Sequence, residues 1–212
     1  LGEYTALVAA EVLSITDAAR LVRERGRLMQ YAAELSEGAM AAIMGMEDAA
    51  LEEICWETNT EISNMNTPDQ TVISGDKAAV EKAMALANDR GARRTVSLAV
   101  AGAFHSRLME PAREGLAKIV DALTFNQPSI PIVANCTGLP LTTVEEIKQE
   151  LTSGICTCVR WKDSVEYMTQ SGITTFHEIG PGKVLSGMVK RINENAEVIN
   201  VSDPESIQLL TA

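Results

Sequence analysis

Small and apolar residues recur at helical spacing through the first thirty positions, in Ala6-Leu7-Val8-Ala9-Ala10 and again in Ala18-Ala19-Arg20-Leu21-Val22. Between them, Ser14-Ile15-Thr16-Asp17 predicts a turn that offers N-cap candidates for a second helix. The pattern loosens over 32–38 and then changes period. An apolar run over 39–44 has strand length. Residues 48–56 predict a helix whose early acidic residues suit the helix dipole. Residues 61–65 and 70–74 read as strands around a polar turn, Asn66-Thr67-Pro68-Asp69. Helix returns over 76–89, with Val80, Ala83, Met84 and Ala87 on one face, and 93–100 reads as a strand. This β-α-β-β-α-β order is the ferredoxin-like arrangement, which can bury its own face.

Downstream, the small-residue stretch Ala101-Gly102-Ala103-Phe104-His105-Ser106 predicts a loop leading into a helix that continues over 111–122. A strand over 128–134, a helix over 144–151, a loop at 154–158 and a helix over 161–170 follow. A strand over 174–179, a tight Gly180-Pro181-Gly182 turn, a helix over 184–192 and a last strand over 197–201 complete the chain. Alternating strands and helices argue for a parallel sheet with helices on both faces. The expected organisation is therefore an α/β body, 1–36 and 101–212, interrupted by a small ferredoxin-like α+β subdomain, 37–100.

Composition narrows the function. The 212 residues are 46% apolar, enough for one large domain or two small ones. A net charge of −11 argues against general nucleic-acid or anionic-membrane binding, both driven by clustered positive charge. No apolar run reaches the ~20 residues of a membrane helix. Cys55, Cys136, Cys156 and Cys158 are too scattered for a disulfide scaffold, which points to a reduced, cytoplasmic setting. Cys156-Thr157-Cys158 has no second pair and no nearby histidine, so it reads as a thiol pair rather than a zinc site. The opening Leu1-Gly2-Glu3-Tyr4 is neither a Met start nor a signal peptide, and the chain is expected to continue upstream.

Only two histidines are present. His105 lies in the small-residue loop, where Gly102 and Ala103 leave room beside it; it is either a satisfied histidine or a catalytic one. His177 sits in an apolar strand pattern and reads as structural or outward-facing. Arg20, Arg23, Arg25 and Arg27 suit a solvated helix face, but Arg25 precedes Gly26, and an arginine fork matches a carboxylate with two parallel hydrogen bonds. Gly180-Pro181-Gly182-Lys183 lacks the spacing of a phosphate-binding loop and is a turn. Leu1-Gly2-Glu3 running straight into a helix resembles the second half of a G-x-S-x-G nucleophile elbow, with the serine immediately before Leu1 and the Leu1 N–H as an oxyanion donor. That gives the body a hydrolase-like character.

These motifs carry a family resemblance. LGEYTALVA at 1–9, ERGRLMQ at 24–30, NMNTPDQTVISG at 64–75, AGAFHSRLMEPA at 101–112, VRWKDSVEYM at 159–168 and EIGPGKVLSGMVKRI at 178–192 resemble the malonyl-CoA:acyl carrier protein transacylase family, in the same order. The resemblance spans the whole chain but only the later two-thirds of a typical member. It implies a Ser-His pair, with the serine just upstream of Leu1 and His105 as the base. It implies Arg25 as the carboxylate-binding arginine, the Leu1 N–H in the oxyanion hole, and the Gly154 carbonyl as the group that orients His105. Gly154 stands where glutamine is usual, and Cys158 where proline is usual. Phe104 matches the malonyl-loading type, where a Phe fills the space an α-methyl branch would need; its other reading is plain core.

The implied reaction moves malonyl from malonyl-CoA to the phosphopantetheine thiol of acyl carrier protein through an acyl-serine, in fatty acid biosynthesis. Malonyl-CoA is a substrate, and no cofactor or metal is implied. An acidic carrier would need a basic patch, for which Arg93-Arg94 and Lys183, Lys190 and Arg191 are candidates. Three other readings remain open. One is a catalytically inactive fragment, the expectation for this chain alone because it lacks the nucleophile. Another is a serine hydrolase with the same elbow. The third is a domain of a multidomain synthase, although EIGPGKVL looks more like the freestanding enzymes.

Overall fold

The computed structural model describes residues 1–211. The chain enters as α1 (Gly2–Ala9) and turns into α2 (Ile15–Glu34). Ser14 caps α2, its hydroxyl accepting the Asp17 N–H at 3.0 Å. Ala18, Leu21, Leu28 and Ala32 fall on one face of α2 and are buried; Arg23 and Arg27 lie on the exposed side. The buried stripe packs along α5 (Glu110–Ala122), and Leu7, Leu21, Leu116 and Ile147 close one core with α6 (Val144–Ser153).

Six elements follow α2: β1 (Gly38–Met44), α3 (Asp48–Thr58), β2 (Glu61–Thr67), β3 (Gln70–Asp76), α4 (Lys77–Asp89) and β4 (Arg94–Ser97). The strands form one antiparallel sheet in the order β2-β3-β1-β4, the ferredoxin-like order read from the sequence. Ala41, Ile43 and Ile73 pack under α3 and α4 with Leu51, Ile54, Val80 and Ala83. Met40, Ala42 and Val72 point to the opposite face. Both faces of β1 are thus covered, which is why its sequence is an unbroken apolar run rather than an alternation.

The rest of the chain continues from α5 through β5 (Ile132–Val133), β6 (Pro140–Leu141), α6, α7 (Trp161–Gln170), β7 (Thr175–Ile179), α8 (Val184–Ile192), β8 (Glu197–Val201) and α9 (Pro204–Thr211). Parallel pairing is present at β7–β8. The strand expected over 128–134 shrinks to two residues, because Pro128 and Pro131 remove amide donors. Its partner β6, an antiparallel mate, was not anticipated from sequence. Neither was α9, although Asp203-Pro204 is a start signal and the Asp203 carboxylate accepts the Ser206 N–H at 2.8 Å. The strand expected over 93–100 ends at Ser97.

Two contacts bind the halves of the fold together beside the site. Val159 bridges edge strand β2 in parallel, with Met65 N–H to Val159 O at 2.9 Å and Val159 N–H to Ser63 O at 2.8 Å. Lys162 on α7 pairs with Asp48 on α3 at 2.8 Å. Among the described residues no helix is long and apolar enough to cross a membrane.

Candidate active site

His105 sits at the end of the loop that leaves β4, with φ at +57°, a left-handed backbone that a non-glycine residue adopts only when its surroundings impose it. On one side, a Cβ on Gly102 would come within 2.7 Å of the Ala33 Cβ, so the loop lies directly against α2. On the other, the buried Ser106 hydroxyl donates to Ala103 O at 2.7 Å and accepts the Leu108 N–H at 3.3 Å, capping the short 3₁₀ turn Arg107–Met109. The room expected beside His105 is therefore occupied: the small residues let the loop touch the helix that carries Arg25.

The His105 Nδ1 lies 2.8 Å from the Gly154 carbonyl oxygen. A carbonyl can only accept, so Nδ1 carries the proton and Nε2 keeps its lone pair. Burial pushes the imidazole below its ordinary value of 6.5, the Gly154 hydrogen bond opposing that shift and the nearby Arg25 charge adding to it. Gly154 caps α6, its N–H bonded to Glu150 O at 2.7 Å.

A cavity of about 290 Å³ joins these groups, lined by Leu1, Arg25, His105 and Gly154, and also by Tyr4, Asn64, Asn135 and Trp161. Arg25 lies 5.6 Å over the Tyr4 ring and has no carboxylate partner among the described residues. Glu3 also lines the cavity but makes no ion pair with Arg25, and a guanidinium that faces a cavity with no carboxylate bound to it is a ready anion site. Leu1, the N-cap residue of α1, lines the same cavity.

Phe104 does not line this cavity; it packs between the α1–α2–α5 core and the Met40–Ala42–Val72 cluster. His177 is exposed on β7. Cys156 and Cys158 are half-buried free thiols, pushed up mainly by burial to about 12 and about 11. Of the basic residues weighed for docking, Arg93 is held by Asp69, and Arg94 and Lys183 are exposed.

Sequence reasoning gave no role to Tyr4, Asn64, Asn135 or Trp161. Asn64 sits at a register shift in β2, a bulge that sequence alone does not reveal. It also missed Glu150, which is 4% exposed on the apolar face of α6 between Ile147 and Leu151. An acid on an apolar helical stripe was the signal available.

Comparison with known proteins sets the class first. The acyl transferase domain family matches residues 1–209. The malonyl CoA-acyl carrier protein transacylase of Bacillus subtilis (strain 168) is 44% identical over 214 residues, covering 99% of this chain and 68% of the relative. The solved malonyl-CoA:acyl carrier protein transacylase of Xanthomonas oryzae pv. oryzae has a TM-score of 0.92 at 41% identity, covering 98% of this chain and 67% of that one. A malonyl-transacylase solved in complex with its type II PKS acyl-carrier protein has a TM-score of 0.93 at 37% identity, covering 97% of this chain and 68% of that one. The chain belongs to the family of malonyl CoA-acyl carrier protein transacylases, of which it spans about two thirds of the length.

Proposed function

We propose that this site transfers a malonyl group from malonyl-CoA to the phosphopantetheine thiol of an acyl carrier protein, through an acyl-serine. The observation that carries the proposal is the His105–Gly154 hydrogen bond, which leaves Nε2 as a free base in a cavity that also holds an unpaired arginine. The nucleophile is a serine directly before Leu1. His105 takes its proton as the hydroxyl attacks the thioester carbonyl, and returns that proton to the departing CoA thiol. The Leu1 N–H stabilises the oxyanion of the tetrahedral intermediate, a contribution typically worth ~3 kcal/mol per donor. In the second half-reaction the carrier thiol attacks the acyl-serine and His105 serves again as base.

Arg25 binds the free malonyl carboxylate. An acetyl group would leave the guanidinium desolvated and unpaired, so the arginine selects for a dicarboxylic acyl chain. Phe104, packed behind the loop between two apolar clusters, helps hold His105 in place. The names of the relatives and the solved carrier-protein complex support this substrate and partner. The chemistry draws on a hydroxyl, an imidazole, a guanidinium and backbone groups alone. Four free cysteines support a reducing, cytoplasmic setting. We also take the subdomain as 37–100 and the body as 1–36 with 101–212.

Arg25→Ala tests the assignment in a chain that includes the residue before Leu1. It should lower kcat/KM for malonyl-CoA by about 10²-fold, or ~3 kcal/mol, and spare any slow acetyl transfer. Equal losses on both substrates would remove Arg25 from the carboxylate site.

A further inference from the structure

At the wall of the cavity two acidic side chains from different helices meet, Glu3 lining it and Glu150 lying behind. Glu3 on α1 accepts the Asn135 N–H at 3.1 Å through Oε1, and Glu150 on α6 accepts the adjacent Cys136 N–H at 2.8 Å. Successive amides of one turn are thus held by two carboxyls that face each other. Glu150 is 4% exposed, and no cation pairs with either acid among the described residues. A buried and a half-buried negative charge facing each other repel, whereas one shared proton turns the repulsion into a hydrogen bond.

The placement gives the pair leverage over the site. Glu3 lies two residues after Leu1, whose N–H is the proposed oxyanion donor. Glu150, through its main-chain carbonyl, holds Gly154 N–H at 2.7 Å, and the Gly154 carbonyl orients His105. Asn135 O also accepts the Arg160 N–H at 2.7 Å, anchoring the loop after Gly154 to the same turn. We propose that Glu150 is a positioning residue which, sharing one proton with Glu3, locks the N-terminus of α1 against the Gly154 loop and so keeps oxyanion donor and base in register. Its kinetic consequence rests on the acyl-transfer reading; the shared proton does not.

Other ionisable groups face the pair. Tyr4 on α1 is pushed up to about 12, chiefly by burial, and Cys136 on the turn is pushed up by burial and by Glu150. Both keep their protons near neutrality. Cys158 on the loop is held up to about 11 and faces Cys136, Arg25 on α2 lies over the Tyr4 ring, and the Leu1 nitrogen lies on the Glu3 side. Glu3 itself is raised to about 7, by burial first and then by Glu150.

The test is a carbon-13 carboxyl titration of the glutamates in the wild-type chain and in Glu150→Gln, which keeps an oxygen for Cys136 N–H and offers Glu3 an amide. One glutamate should titrate near pH 7 in the wild type and at least one unit lower in the variant. No glutamate titrating above pH 6, or an unchanged titration in the variant, overturns the shared proton. In a chain bearing the upstream serine, wild-type kcat should fall several-fold above pH 7, and Glu150→Gln should flatten that limb with KM for malonyl-CoA unchanged. Superimposable pH profiles overturn the positioning role. Failure of the wild type to load malonyl counts against the acyl-transfer reading, and the carboxyl titration still decides the pair.

Discussion

At His105 the backbone and the side chain are fixed by different neighbours: the left-handed φ by the contact of its loop with Ala33 and the Ser106 cap, the ring by Gly154. Burial favours the neutral imidazole, so His105 as the proposed base stays competent below the ordinary histidine range. The acid limb of kcat/KM against pH should therefore fall below 6.5; a limb at or above that value contradicts the assignment. Glu3 acts on stability in the opposite direction from a salt-bridged acid. Its folded value of about 7 exceeds the ordinary value of 4.5, so the native state holds more protons than the unfolded chain between those limits. Its contribution is intact at low pH and is lost as pH rises through that window, by up to about 3 kcal/mol. Urea midpoints at pH 5 and pH 8 should diverge more for the wild type than for Glu3→Gln, and equal divergence would refute the shift.

Among the elements, those with a strong period were legible. The helices at 161–170 and 184–192 fall where spacing puts them, and β1 to β4 follow the ferredoxin-like reading. The paired segments β5 and β6 are two residues each, too short to carry a period, and prolines obscure them further. The bulges in β2 that bring Asn64 to the cavity leave no trace in residue type. Close approach makes a sharper prediction than periodicity here. Gly102→Val would drive a side chain into the Ala33 Cβ, which cannot move without α2. It should destabilise the protein by about 1–3 kcal/mol and lower kcat roughly 10-fold as the His105 loop lifts. A variant with wild-type stability and activity would show that the loop does not depend on that contact. Thr143→Ala, which removes the capping box of α6, should cost about 1 kcal/mol in chemical denaturation.

Over the whole molecule, Arg25, His105 and Gly154 come from three separate stretches of sequence and line one cavity. Local pattern could nominate His105 and Arg25 but not Gly154, which the family resemblance alone supplied, and the fold supplies the distances. Phe104 was legible as a residue type, yet its place between two cores rather than in the cavity depends on packing that no single segment encodes. The central claim is an acyl-serine formed with His105 as base. Intact-mass analysis, with peptide mapping, of a chain bearing the residue before Leu1 tests it most directly after mixing with malonyl-CoA. The account predicts one malonyl group on that serine, absent in His105→Ala and discharged by an acyl carrier protein thiol. No adduct, or an adduct on one of the four cysteines that forms equally well in His105→Ala, would contradict it.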